Sequence, residues 1–314
     1  LCSLLAIGVL AGAQAVPPGM RNWPPGSDWL AAKGEVPDAP GGALKYSLRL
    51  PKQVPPGKKL ALVVALHGLG ADEFGCYFML WNGIHLNKFD DDYAVLGLKS
   101  RGKGWAESDF PAIRHAIEWA QKTQPIDPRR VYGWGESNGA MNLARFAPRN
   151  ADLMAAAVLV SGNARGLPKP GAEVVEQDLT VFLFHGSADK TVPTKESRDA
   201  AAALTANRYF RCFREVADED HFWGKASVEV IAPDAFRFLG AQRLRRVIDA
   251  KAIEACAALT AQLATKTPPT GPAVLTALND GGSAADALAV AAAGSTHGAA
   301  RLAVAQWALT RFPG

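Results

Sequence analysis

Val131-Tyr132-Gly133-Trp134-Gly135-Glu136-Ser137-Asn138-Gly139-Ala140 carries an apolar run into a G-x-S-x-G pentapeptide, Gly135 to Gly139. Arg130 to Trp134 reads as a short buried strand. Asn138 to Ala147 reads as a helix whose apolar positions are Met141, Leu143, Ala144 and Phe146. A serine at the turn between them has its hydroxyl exposed above the sheet, and glycines on either side let a strained turn close against its neighbours. The next backbone N–H, that of Asn138, lies at a helix N-terminus, where it favours negative charge. The pentapeptide alone means little, because Gly and Ser are common in loops; the strand before it and the helix after it give it weight.

Working outward, Leu44 to Leu50 alternates apolar and polar residues as an edge strand does, and Lys52 to Lys58 is a turn. Leu60 to Leu66 is a continuous apolar run that ends in His67-Gly68-Leu69-Gly70, a central parallel strand feeding a Gly-rich loop. Tyr93 to Leu98, Ala155 to Val160, Leu179 to Phe184 and Arg208 to Val216 read as further strands. Pro111 to Lys122 reads as an amphipathic helix with Ile113, Ala116, Ile117 and Ala120 on one face. Strands alternating with helices at this spacing predict an α/β domain built on a doubly wound, mostly parallel sheet, with chemistry at the carboxyl ends of the strands. The loops after Leu66, Trp134, Val160 and Phe184 all open on that edge. The loop from Ser161 to Asp178 is too short for a lid domain, which predicts an open site.

Acyl transfer by a serine needs a base to take the hydroxyl proton, a carboxylate to orient that base, and donors for the oxyanion. Asp189, in the loop after a buried strand, is the candidate acid; Asp178 is the fallback, and a simple cap on the helix starting near Thr194 is the competing reading. Among six histidines, His67 and His185 stand at strand ends before glycine, where they brace loops. His85 precedes the serine, His115 lies inside a helix and His297 belongs to the tail. His221, in Asp218-Glu219-Asp220-His221-Phe222-Trp223, follows the last strand and precedes the last helix of the domain, and is the candidate base. Its acidic neighbours also fit a solvated turn. The N–H groups of Leu69 and Asn138 are the candidate oxyanion donors, with Gly68 and Gly70 equally placed. Trp105, Trp134, Phe222 and Trp223 are the aromatic candidates for the walls of the site, though such residues are more often core, and Trp223 is preferred for its place beside His221.

The 314 residues, 48% hydrophobic, are enough for one large domain and an appendage. Basic and acidic residues, 34 against 30, are mixed along the chain, so no basic stripe argues for nucleic acid. The apolar opening, Leu1 to Leu10, followed by Ala13-Gln14-Ala15, reads as a truncated signal peptide over 1–15, predicting a secreted or periplasmic protein. No other run reaches transmembrane length. Beyond the signal, Cys76, Cys212 and Cys256 allow one internal disulfide at most. Residues 16–43, rich in Pro and Gly, read as an irregular leader, 44–240 as the α/β domain, and 241–314 as an Ala-rich helical extension. Helices are expected from Leu244 to Leu263, Pro272 to Leu278, Ser283 to Ala293 and Arg301 to Phe312. The extension is expected to offer a surface to an unidentified partner. C-x-x-C, H-E-x-x-H, P-loop and dinucleotide-binding patterns are missing, so neither metal nor cofactor is expected.

Taken together, H-G-L-G at 67–70, G-E-S-N-G at 135–139, H-G-S-A-D-K-T-V-P at 185–193 and D-H-F-W at 220–223 resemble the serine esterases of the α/β-hydrolase superfamily. The nearest groups are the carboxylesterase/phospholipase-like, feruloyl esterase and polyhydroxybutyrate depolymerase, and dienelactone hydrolase-like enzymes. The resemblance covers roughly residues 44–240 and implies the α/β-hydrolase fold, a Ser137–His221–Asp189 triad, no cofactor, and a small or polymeric carboxylic ester as substrate. Glu136 and Asn138 depart from the residues usual at those places, which bears on the substrate rather than on the nucleophile. A prolyl-oligopeptidase-type peptidase shares the same triad order, and a catalytically silent binding protein on this fold is the alternative outside enzymes.

Overall fold

A computed structural model describes residues 32–51, 53–163, 165, 179–207, 209–244, 250–281 and 284–311. Eight strands form one sheet: β1 (Ala32–Glu35), β2 (Lys45–Arg49), β3 (Leu60–Leu66), β4 (Tyr93–Leu98), β5 (Ile126–Glu136), β6 (Ala156–Val160), β7 (Thr180–Gly186) and β8 (Phe210–Val216). Their order across the sheet is β1-β2-β4-β3-β5-β6-β7-β8. β1 and β2 pair antiparallel, β2 runs antiparallel to β4, and every pairing from β4 to β8 is parallel. After β3 the chain crosses to one side of the sheet, and after β5 to the other. The crevice at the carboxyl ends of β3 and β5 is therefore the switch point, where a doubly wound sheet opens a site.

The hydrophobic pattern explains the layers. In β3, every residue is buried. Leu60, Leu62, Val64 and Leu66 face one apolar layer while Ala61, Val63 and Ala65 face the other, the period-2 alternation of a strand covered on both sides. The first layer is closed by α2 (Phe110–Thr123), α3 (Asn138–Arg149) and α4 (Lys195–Ala206). The second is closed by α1 (Tyr77–His85) and α5 (Ala232–Ala241). Pro111 falls in the first turn of α2.

Three elements differ from expectation. Part of the segment read as an irregular leader, Ala32–Glu35, is edge strand β1; its four residues carry no alternation because neither face is buried, and only its register against β2 defines it. Helix α1 was not foreseen, because Tyr77-Phe78-Met79-Leu80-Trp81 is apolar on all sides and Gly83 sits inside the helix. Packing supplies the reason for that glycine: a Cβ there would lie 2.2 Å from Phe236 Cδ2 on α5. β5 also starts earlier than its apolar run, at Ile126, with a register shift against β3 that accommodates Pro128.

Beyond α5 come α6 (Ala250–Leu263), α7 (Gly271–Asp280), α8 (Ala285–Gly294) and α9 (Gly298–Arg311), which share a cluster of their own built on Cys256, Leu278, Leu288, Ala303 and Trp307. The extension is seated at the amino end of β5: Leu244 N–H donates to Arg129 O (2.8 Å), and Arg129 pairs with Asp280 (3.1 Å). It therefore lies at the end of the sheet opposite Ser137. The three described cysteines are buried free thiols. No helix among the described residues is long and apolar enough to cross a membrane. The segment read as a signal peptide and most of the loop from Ser161 to Asp178, with the fallback acid Asp178, fall outside the described residues.

Candidate active site

Ser137 stands between the end of β5 and the start of α3 with φ +52° and ψ −115°, a left-handed backbone that a non-glycine residue adopts only under constraint. Its N–H donates to Val160 O (2.8 Å) and its C=O accepts from Met141 N–H (3.0 Å). Gly139 makes the turn sterically feasible, since a Cβ there would lie 1.9 Å from Leu66 O at the end of β3. The strain is thus held by the strands on either side.

Three side chains from three loops meet over this turn. His221 Nε2 lies 3.0 Å from Ser137 Oγ, and His221 Nδ1 lies 2.7 Å from Asp189 Oδ2. Asp189 and His221 are buried, each 7% exposed. Asp189 Oδ1 accepts the N–H groups of Thr191 and Val192, both at 2.8 Å. Burial alone would raise this carboxyl's pKa; the Val192 N–H, the His221 ring and the Thr191 N–H outweigh it and hold the group below the ordinary aspartate value. Asp189 caps no helix, since α4 starts after Thr194 without a side-chain cap. An ionised Asp189 accepts from Nδ1–H and leaves Nε2 of His221 free to accept from the serine hydroxyl.

Of the acids beside His221, Asp218 and Asp220 are exposed, as a solvated turn requires, and Glu219 is not. Glu219 is buried and takes the N–H groups of Ala226 (2.7 Å) and Ser227 (3.1 Å), at the start of the helical turn Ser227–Ile231 that leads into α5. Its C=O accepts from Ala188 N–H (2.9 Å), and Asp218 N–H donates to Ser187 Oγ (2.9 Å), so the His221 loop is fastened to the Asp189 loop.

On the other side of Ser137 lies His67-Gly68-Leu69-Gly70. A Cβ on Gly68 would stand 3.5 Å from Ser137 Cβ, which places this loop directly against the serine. Gly70 N–H is spent on Lys103 O (2.6 Å), whereas the N–H groups of Gly68 and Leu69 both have no partner among the described residues. His67 accepts Ser100 N–H at Nε2 (3.0 Å) and donates from Nδ1 to Gly68 O (2.6 Å); burial lowers its pKa, so it braces the loop as a neutral ring. Asn138, also a helix N-terminus, uses its side chain to hold the next loop: Oδ1 accepts Trp105 N–H (2.7 Å). Trp105 Nε1 in turn donates to His67 O (3.1 Å).

Trp223, the expected substrate contact, packs against the α1/α5 apolar layer with its Nε1 buried. The aromatic beside the triad is its neighbour Phe222, 81% exposed and edge-on to the His221 ring at 5.7 Å. Leu69 is also exposed, at 69%. Reading by proximity in sequence could not tell Phe222 from Trp223, because the φ of +53° at Trp223 reverses the chain between them.

Glu136, the residue before the serine, is a buried acid the sequence did not explain. Burial pushes its pKa up to about 8, against partial relief from hydrogen bonds with Trp134 and Cys76; Trp134 Nε1 donates to its Oε1 at 2.9 Å. No cluster of His, Cys, Asp or Glu fit to hold a metal occurs among the described residues.

The strand order and the serine turn invite comparison with solved structures. A thermostable esterase superposes with a TM-score of 0.55 at 23% identity, over 69% of this chain and 63% of that one. Est1E from Butyrivibrio proteoclasticus superposes at 0.52 and 15% identity, over 67% and 99%. The chain has the α/β-hydrolase fold. A Mycobacterium tuberculosis puromycin-hydrolyzing peptidase shares this hydrolase fold at 0.54 and 18% identity, over 67% of this chain and 39% of that one. Among curated proteins, the putative esterase NocK of Nocardia uniformis subsp. tsuyamanensis is 29% identical over 155 residues. That match covers 45% of this chain and 42% of the relative, less than half of its length. No family model matches the chain.

Proposed function

We propose that this α/β hydrolase is a serine esterase that cleaves carboxylic esters through an acyl-enzyme. The observation that carries the reading is His221 bridging Ser137 Oγ at 3.0 Å and Asp189 Oδ2 at 2.7 Å. Ser137 Oγ attacks the ester carbonyl while His221 Nε2 takes its proton. Asp189 stabilises the imidazolium so formed and remains ionised. Two N–H groups, those of Leu69 and Asn138, receive the oxyanion; each donor of this kind is worth about 3 kcal/mol of barrier. Collapse expels the alcohol, which leaves with the proton from Nε2. Water then repeats the sequence on the acyl-enzyme, with His221 first as base and then as acid.

Phe222 and Leu69, both apolar and exposed beside the triad and the oxyanion loop, are the walls we assign to the bound ester. The esterase names among the similar proteins support the reaction class. The apolar opening of the chain supports export from the cytoplasm, which N-terminal sequencing of the mature protein would test. The test of function is hydrolysis of short- and long-chain p-nitrophenyl esters beside Ser137→Ala. The variant should lose about 10⁴-fold or more in kcat. A folded wild type inert to both esters but active on peptide p-nitroanilides would transfer the same residues to a peptidase, and one inert to all would leave a silent binding protein.

A further inference from the structure

Asp189 Oδ2 takes hydrogen bonds from two imidazoles. Besides His221 Nδ1, the ring of His185 presents Nε2 at 2.9 Å to the same oxygen, and also at 2.8 Å to Val192 O. Both neighbours are acceptors, so Nε2 of His185 carries the proton. Its other nitrogen, Nδ1, lies 2.7 Å from Ser197 Oγ on α4, and that hydroxyl lies 2.9 Å from Gly162 O. His185 is 0% exposed.

We propose that His185 is a positioning residue that aims Asp189 at His221, and that it does so as the neutral Nε2–H tautomer set by the Ser197 hydroxyl. The proposal rests on Ser137, His221 and Asp189 acting as argued above. The backbone N–H groups of Thr191 and Val192 hold only Oδ1 of the carboxylate. A carboxylate held at one oxygen turns easily about its last torsion, which has no sharp wells. The His185 N–H removes that freedom and leaves Oδ2 directed at His221 Nδ1.

Proton bookkeeping selects the tautomer. Ser197 has one hydroxyl proton and two acceptors within reach. Given to Gly162 O, it forces Nδ1 of His185 to donate, which makes that ring an imidazolium. Given to Nδ1, it leaves His185 neutral. An imidazolium on Oδ2 would neutralise the charge that must stabilise the imidazolium forming at His221, so the neutral form is the competent one. The other charged group opposite His185 is Glu215, its register partner on β8, whose carboxylate is tied to Arg198 of α4 (2.8 Å). Gly162 completes the connection: a Cβ there would lie 2.5 Å from Ala140 Cβ and 3.3 Å from Ser137 O. The loops after β5, β6, β7 and β8 are thus joined in one closed set of contacts around the triad.

The test uses His185→Phe, His185→Gln and Ser197→Ala in the full chain. Each is followed by the rate at which an alkyl fluorophosphonate phosphonylates Ser137 with loss of fluoride, from pH 5 to 9, alongside p-nitrophenyl ester hydrolysis and Tm. His185→Phe should react about 10- to 30-fold more slowly, with an ester KM within about twofold of wild type. The acid limb of its rate profile should move upward, because a carboxylate with one donor fewer pairs more strongly with the ring across from it. His185→Gln should recover to within about threefold of wild type, since its amide donates to Oδ2 and accepts from Ser197. Ser197→Ala should slow the reaction about threefold or more with His185 in place. A folded His185→Phe with the wild-type rate and acid limb would overturn the proposal, as would His185→Gln no faster than His185→Phe. Should His185→Phe fail to fold, a Ser197→Ala of wild-type rate and acid limb would overturn it. A wild type phosphonylated at Ser137 but inert to esters defeats only the esterase reading; one that is not phosphonylated there defeats both.

Discussion

Glu136 shows how one residue couples the serine turn to pH. Its folded pKa of about 8 lies above the ordinary glutamate value of 4.5, so the folded chain keeps a proton that the unfolded chain releases. Below about pH 4.5 both states are protonated and the group costs nothing. Between 4.5 and 8 stability falls as pH rises, and above 8 the loss is complete. Glu136→Gln removes the titration while keeping volume and an acceptor for Trp134. Its Tm should exceed that of wild type by a margin that widens from pH 5 to 8 and is flat above, reaching on the order of 3–5 kcal/mol of stability. A constant margin across that range in thermal melts would show that Glu136 does not titrate in the fold. At Asp189 the sign is opposite: its lowered pKa stabilises the fold at neutral pH, and that contribution is lost as pH falls through the folded value. Asp189→Asn should leave the fold intact and cut kcat about 10³- to 10⁴-fold, because an amide at this place favours the wrong tautomer of His221; activity that persisted would count against Asp189 as the acid.

Elements were legible where the burial pattern was one-sided or complete. β3 and β6 are continuous apolar runs, and α2 carries its apolar residues on one face, so period alone identified them. α1 and β1 were not legible, since a helix apolar on all sides over Tyr77 to Trp81 and a strand with no buried residue both lack contrast. The serine turn is the element whose geometry tolerates least. Gly139→Ala places a methyl carbon at 1.9 Å from the Leu66 carbonyl, a backbone atom with nothing flexible to yield. Urea unfolding should show a loss of about 3 kcal/mol or more, with α3 displaced and activity gone. Wild-type midpoint and turnover in that variant would mean that β3 and α3 are not packed as described.

At the scale of the whole molecule, α6 to α9 rest on the amino end of the sheet and the chemistry on its carboxyl end. α9 packs on α5, and the Arg129–Asp280 pair and the Leu244–Arg129 bond fasten the extension to β5. A chain ended after Leu244 keeps Tyr132 Oη donating to Gln242 O at 2.9 Å, and with it the closure of α5. Its kcat/KM should stay within about threefold of the full chain while its Tm falls, since only stabilising contacts are removed. A loss of ester turnover without unfolding would tie the extension to the site. The Leu302 and Leu309 side chains of α9 are exposed.

The amino-acid sequence by itself determined the serine turn, the alternation of strands and helices, and the order Ser137, Asp189, His221, because each is written in local pattern: an apolar run, a glycine pair, a loop after a strand. It did not determine which side chains face one another across loops. That Gly70 N–H is spent on Lys103, that Phe222 and not Trp223 stands beside His221, that Glu219 braces a helix, and that His185 shares the carboxylate of Asp189 all depend on strand register and on backbone reversals. Contacts between residues far apart in the chain are chosen by how the sheet twists and packs, and only the folded structure contains that information.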